Sequence, residues 1–269
     1  MQTSPNFDFI YDGHGHSLAS DGSNTPEEIL DAAIQKNIQI IGLSDHNTVA
    51  SLPHFIAYAQ KLTSQGHQIL AIPSLEQSTL EGDVILLTPN LEDAQRFIQE
   101  YRKPTSRPHL IDCIENHIRK YNGLIILPHP QCRLISSVTI DSLTHLITKQ
   151  LPARYLPHIG IEVYNWMSQI FFWERPAIEK KLRKLARTYF LAQTGGTDYH
   201  STTVIGKGRT IMHMPSLTAE SFIEAFKSRA MSVEPPLPSN FETLSSLVTE
   251  STRAEINSRY RNPGFRIPH

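Results

Sequence analysis

The feature that most limits what this chain can fold into is a recurrence. Short apolar runs of strand length alternate with helix-forming stretches, and run after run ends at a histidine or an acid. Phe7-Asp-Phe-Ile-Tyr11 leads into His14 and His16, with Asp21 in the loop beyond. Gln39-Ile-Ile-Gly-Leu43 ends at Asp45-His46, Ile69-Leu-Ala-Ile72 ends near Glu76, and Val84-Ile-Leu-Leu87 follows. Gly123-Leu-Ile-Ile-Leu127 ends at His129, Ile159 to Val163 precedes Tyr164-Asn165-Trp166, and Phe190-Leu-Ala-Gln-Thr194 ends at Asp198 and His200. Between the runs, Thr25-Pro26-Glu27-Glu28 has the form of a capping box with proline at the first helical position. Further helices are expected near Val49 to Leu62, Leu110 to Tyr121, Pro176 to Tyr189 and Ala219 to Ala230. This alternation predicts an α/β fold, a parallel sheet with helical crossovers. About seven strand–helix units suit a closed or distorted barrel better than an open sheet.

In such barrels the functional rim lies at the carboxyl ends of the strands. His14, His16, Asp21, His46, Glu76, His129, Asp198 and His200 all fall there by this reading. Residues two apart on an extended segment point the same way, so His14 with His16, and Asp198 with His200, can grip one ion together. An isolated H-x-H pair is weak, and Asp45-His46 alone reads as a turn with a capping aspartate. It is their arrival at successive strand ends that points to metal. Imidazole with carboxylate suits zinc, iron or manganese, and the donors exceed what one ion needs, so two or three ions are expected, bridged by Glu76 and Asp198. The chain has 13 histidines. His54, His67, His109, His117, His145, His158, His213 and His269 are read as surface or structural residues, with no matched partner at the rim.

Composition enters as a set of exclusions. Of 269 residues 39% are hydrophobic and 19% charged, which fits a folded core rather than disorder. Lys+Arg 25 against Asp+Glu 26 gives a net charge of -1, so no basic balance advertises a stable nucleic-acid complex. No leader pattern and no membrane-length apolar run is seen, and two cysteines, Cys113 and Cys132, read as reduced thiols in a cytoplasmic protein. Residues 1–234 are expected to form the barrel. From Pro235 the composition turns linker-like, and residues 235–269 read as a tail packed on the barrel or on a partner subunit, through which the chain could oligomerise, with partial disorder as the alternative.

The run Asp12-Gly-His-Gly-His-Ser17, with Ser20-Asp-Gly22 and Gly42-Leu-Ser-Asp-His-Asn-Thr48, resembles the PHP (polymerase and histidinol phosphatase) family. Glu76, Leu127-Pro-His-Pro130, Ile161-Glu-Val-Tyr-Asn165 and Gly196-Thr-Asp-Tyr-His-Ser201, followed by Gly206-Lys-Gly-Arg-Thr210, extend the likeness over about residues 7 to 234. The resemblance implies a distorted seven-stranded (β/α) barrel, a di- or trinuclear centre of zinc, manganese or iron, and hydrolysis of phosphate esters. One position departs from it. A histidine commonly ends a G-x-x-H pattern after the glutamate strand, and here Gly82-Asp83-Val84 is followed by Ile85, which leaves Asp83 or a water to substitute.

The expected activity is a phosphoesterase acting on phosphorylated small molecules or nucleotides, in which a hydroxide bridging two ions attacks phosphorus. Asp45, His200 and Arg133 are the catalytic candidates. Asp45 is expected to orient a ligand histidine or handle a proton, and Arg133 to bind phosphate. Lys207 and Arg209 are alternative phosphate binders, with solvated surface charge an equal reading. A nuclease of short oligonucleotides and a degenerate binding domain are the alternatives. Gly42-Leu-Ser-Asp-His46 lacks the final glycine of a nucleophile elbow, and the Gly206-Lys207 stretch lacks the residues of a phosphate loop.

Overall fold

The computed structural model describes residues 6–132, 136–171 and 175–234. Arg133 and the tail 235–269 therefore lie outside the described residues. The chain opens with β1 (Phe7–Asp12), α1 (Pro26–Gln35), β2 (Ile40–Leu43), α2 (Leu52–Ser64), β3 (Leu70–Ser78) and β4 (Asp83–Leu87). It continues through α3 (Leu91–Glu100), α4 (Leu110–Tyr121), β5 (Leu124–Leu127), α5 (Ile140–His145), β6 (Ile159–Asn165), α6 (Trp166–Phe171) and α7 (Arg175–Thr188). β7 (Ala192–Gly196), β8 (Arg209–Met214), α8 (Ala219–Ser228) and β9 (Met231–Glu234) complete it. Thr25 caps α1 and Glu28 returns the bond, closing the capping box that the sequence announces.

Among the described residues nine strands form one sheet in the order β7-β6-β5-β4-β3-β2-β1-β8-β9, two more than the seven expected. β1, β2 and β3 run parallel, as do β5, β6 and β7. The expectation of a wholly parallel sheet needs correction, because β4 is antiparallel to both β3 and β5. Its cause is local: only Thr79 to Gly82 separate β3 from β4, a hairpin length that cannot hold a crossover. The additional strands β8 and β9 are antiparallel too, β8 against β1 and β9 against β8.

The sheet curls until it is nearly closed. The Thr210 hydroxyl of β8 accepts from Gly195 N of β7 at 2.8 Å and donates back to Gly195 O at 3.2 Å. Beyond the strand ends Gly15 bridges Tyr199, with His16 N donating to Tyr199 O and Asp198 N to His14 O. Asp12 ties the same seam, accepting from Thr197 N, Thr197 Oγ1 and Gly206 N.

Alternation along the strands sorts side chains into two cores. Ile85 and Leu87 of β4 and Leu124 and Ile126 of β5 join Tyr11, Ile40 and Ile72 inside the barrel, where α8 adds Phe222 and Phe226. Val84, Leu86, Ile125 and Leu127 face the other way, against Phe97 of α3 and Leu110, Ile114 and Ile118 of α4. Among the described residues no helix is long and apolar enough to cross a membrane.

Candidate metal centre

The rim is built by strand ends that stop being apolar. Glu76 lies opposite Ile85 in the β3–β4 pairing, so its carboxylate points inward at the top of the barrel core. His46 follows β2 and is held beside it: a bridge joins His46 to Glu76, and Asn47 N donates to Glu76 O at 2.9 Å. The Asn47 side chain accepts from Gln77 Nε2 and Ser78 N, which fixes the turn that Asn47 takes at φ 52°. His129 and Asp198 also stand at positive φ, 32° and 59°. Such backbone is unfavourable for residues with a Cβ and tends to persist where a site demands it.

The structure brings these residues together. Glu76 Oε2 lies 3.3 Å from His14 Nε2, His16 Nε2 and His46 Nδ1, while Glu76 Oε1 lies 3.2 Å from His129 Nε2. Asp198 Oδ1 is 3.5 Å from His14 Nε2 and 3.3 Å from His16 Nε2. His200 Nε2 is 3.2 Å from Asp21 Oδ2. The rings of His46 and His200 flank that of His16, with centroids 4.3 and 4.5 Å from it. Donor atoms fall within 4.8 Å of one another in four overlapping sets: His16, Asp21, His46 and His200; His14, His129 and Asp198; His14, His16 and Glu76; and Glu76, Asp83 and His129. The first set opens to solvent, since the Asp21 and His46 side chains are 42% and 35% exposed. The others are buried.

The charge pattern fits cations. Burial pushes Glu76 up, but His46, His14 and a bond from His129 outweigh it and hold the carboxylate well below its usual range. Asp198 is likewise held low against burial, chiefly by His14 and His16. Burial lowers His16 to about 4, helped by the neighbouring His200 and His46. That keeps its ring neutral, the form that ligates metal. His14, His129 and His200 are drawn up against burial by the carboxylates around them. The acids thus demand positive charge at the centre, which a proton or a metal ion can supply.

Sequence reading named the inner donors but not the residue that holds them. Glu162, buried in β6, places Oε1 3.1 Å from His14 Nδ1 and accepts from His129 N at 2.7 Å and Asn165 Nδ2 at 2.9 Å through Oε2. A carboxylate on Nδ1 leaves Nε2 of His14 facing Glu76 and Asp198, the arrangement by which ligand histidines are oriented. Gly196 makes room for it, because a Cβ there would come within 1.9 Å of Glu162 Oε1. An acid in the middle of an apolar strand was the available signal.

Among the described residues Asp45 bonds serines and no histidine. Its buried carboxylate accepts from Ser17 N, Ser17 Oγ and Ser20 Oγ, each at 2.7 Å, and from Ser51 Oγ. It pins the loop after His16 to the segment after His46 instead of bonding a histidine. Arg209 pairs with Glu234 at 3.4 Å, and Lys207 lies in the turn before β8, its N–H donating to Val204 O. Among the described residues Lys103 is a cation at the mouth, one that the sequence did not single out. With Tyr101, Val49, Asn47, Asp21 and His46 it lines a cleft of about 790 Å³. Of the histidines set aside, His109 pairs with Glu81, His213 with Asp8 and His158 with Gly123 O, and among the described residues none of them belongs to the rim's donor sets.

The PHP domain profile matches residues 12–234, and the chain belongs to the PHP domain family, whose members are metal-dependent hydrolases that include phosphoesterases and nucleases. The 5'-3' exoribonuclease Rnm of Salmonella typhimurium is 35% identical over 98 residues, 36% of this chain and 32% of that protein. The matched stretch thus spans about a third of that relative's length. A two-domain protein of Bacteroides vulgatus, described as containing a PHP-like metal-dependent phosphoesterase, has a similar fold, with a TM-score of 0.61 at 16% identity over 87% of this chain and 68% of the other. The lesion-specific endonuclease PfuEndoQ of Pyrococcus furiosus gives a TM-score of 0.53 at 16% identity, over 84% and 58%.

Proposed function

We propose that the chain is a metal-dependent phosphoesterase acting on small phosphomonoesters or nucleotides. Two or three divalent cations, zinc, manganese or iron, would be held by His14, His16, Asp21, His46, Glu76, His129, Asp198 and His200. One observation carries this reading. The His16 ring is buried and neither of its nitrogens has a hydrogen-bond partner, yet Nε2 faces oxygens of Glu76 and Asp198 at 3.3 Å. Burying polar atoms this way is costly unless a cation joins them.

Bound there, such ions would supply Lewis acidity toward phosphoryl oxygens and acidify water. The chain's own residues do the rest. Glu162 fixes the His14 tautomer, and Asp45 holds together the loops that carry His16 and His46. Lys103 offers positive charge to a phosphate entering the cleft. His200 faces Asp21 through Nε2, while its Nδ1 is bonded to Asp198 O at 3.0 Å, which aims the ring at the cation position. The cleft of about 790 Å³, lined in part by Asp21 and His46, has room for a compact substrate. A cytoplasmic place of action belongs to the same reading.

Likeness to the exoribonuclease Rnm supports a second reading, a nuclease trimming short oligonucleotides with the same cations. Turnover separates the two. Manganese-loaded protein is offered 4-nitrophenyl phosphate, nucleoside monophosphates and 5'-phosphorylated dinucleotides. The first reading expects preference for monoesters and loss of turnover with chelator. Preference for dinucleotides selects the nuclease, and turnover unaffected by chelator removes both.

A further inference from the structure

The sequence leaves either Asp83 or a water to stand in where Ile85 offers no donor, and the structure bears on that choice. Positions 83, 85 and 87 of β4 share the inward face, and Ile85 stands directly opposite Glu76. Ile85 is fully buried and has no donor atom. Asp83 lies two residues earlier on that face, opposite Ser78, and is 5% exposed. Its Oδ1 has no hydrogen-bond partner. Donor atoms of Asp83, Glu76 and His129 lie within 4.8 Å of one another.

The hairpin corner fixes this placement. Asp83 N donates to Ser136 O at 3.1 Å. Gly82 turns at φ 138°, where a Cβ would come within 2.5 Å of Ser137 backbone, so the chain can pass there only without a side chain. Asp83 is therefore delivered to the interior by backbone geometry, with an oxygen turned toward a carboxylate and an imidazole. Two buried carboxylates side by side repel unless a positive charge lies between them.

We propose that Asp83 is a metal ligand, completing with Glu76 and His129 an inner cation position that Ile85 cannot serve. This rests on the metal-dependent reading above. An oxygen donor in place of an imidazole favours manganese over softer ions, which makes manganese the probe of choice.

The test is manganese binding by the full-length chain, followed by titration calorimetry and by elemental analysis after dialysis. Wild type is compared with Asp83→Ala, with the near-isosteric Asp83→Asn, and with Asp83→Ala combined with Ile85→His. Both single variants are expected to lose about one equivalent of manganese, or to bind it roughly 100-fold more weakly, with unchanged circular dichroism. The double variant, with an imidazole opposite Glu76, is expected to recover the lost equivalent. If wild type loads manganese and Asp83→Asn loads it equally well, the assignment of Asp83 is overturned while the metal-dependent reading stands. If wild type itself binds none, that reading fails and takes this one with it.

Discussion

His117 and three of the rim histidines, His14, His129 and His200, are all buried, and the molecule treats it and them in opposite ways. On the buried face of α4, His117 is packed edge-on against Phe97 of α3, beside Tyr121, and its Nε2 is bonded to Leu87 O at 2.9 Å. Burial lowers it to about 4, and no carboxylate acts to raise it. At the rim, His14, His129 and His200 are equally shut away, but acids surround them and reverse the effect of burial. A backbone carbonyl and aromatic rings make a histidine into core. Converging carboxylates make it into a candidate ligand.

The comparison is broken most severely at its functional end. His14→Ala or Asp198→Ala is expected to lower metal-dependent turnover by on the order of 10³-fold or more with the far-UV circular dichroism retained. Unchanged turnover in both variants would remove these residues from the site. His117→Ala should do the reverse. It leaves a cavity and an unbonded Leu87 carbonyl, so urea unfolding should show a loss of about 2–4 kcal/mol with turnover per folded molecule preserved. Glu162→Gln keeps the shape of the acid but weakens its hold on His14, and metal affinity by calorimetry should fall about 10- to 100-fold.

The smallest effect is a pH dependence. Folded His117 takes a proton only near pH 4, whereas an unfolded imidazole takes one near 6.5. Between these values the unfolded chain binds more protons, so stability falls as pH drops through 6.5. From pH 7.5 to 5.5 wild type should lose about 1 kcal/mol more than His117→Asn in parallel urea titrations. Equal losses would show that His117 is not the depressed group.

Much of this was legible in the sequence, for identifiable reasons. Each rim donor follows an apolar run, and a period-two strand fixes which face its end presents. That is why the sequence alone groups His14, His16, Glu76 and Asp198. The β3–β4 reversal was missed because a strand buried on both faces reads alike in either direction, although the short Thr79–Gly82 link was a cue. β8 and β9 went unread because Gly206 to Thr210 reads as a glycine-rich stretch with phosphate-binding cations, which hides the strand that begins at Arg209. Asp45 beside His46 suggested histidine orientation, but the partners that claim it, Ser17, Ser20 and Ser51, are brought near only by the closed rim.

The central claim is that the rim holds metal, and the most direct measurement is elemental analysis of the purified chain after manganese loading and exhaustive dialysis. The account predicts about two or more ions per chain, falling sharply in His14→Ala. Wild-type protein that retains no metal while correctly folded would contradict it, and would leave the cluster as the relic of a centre kept for binding alone.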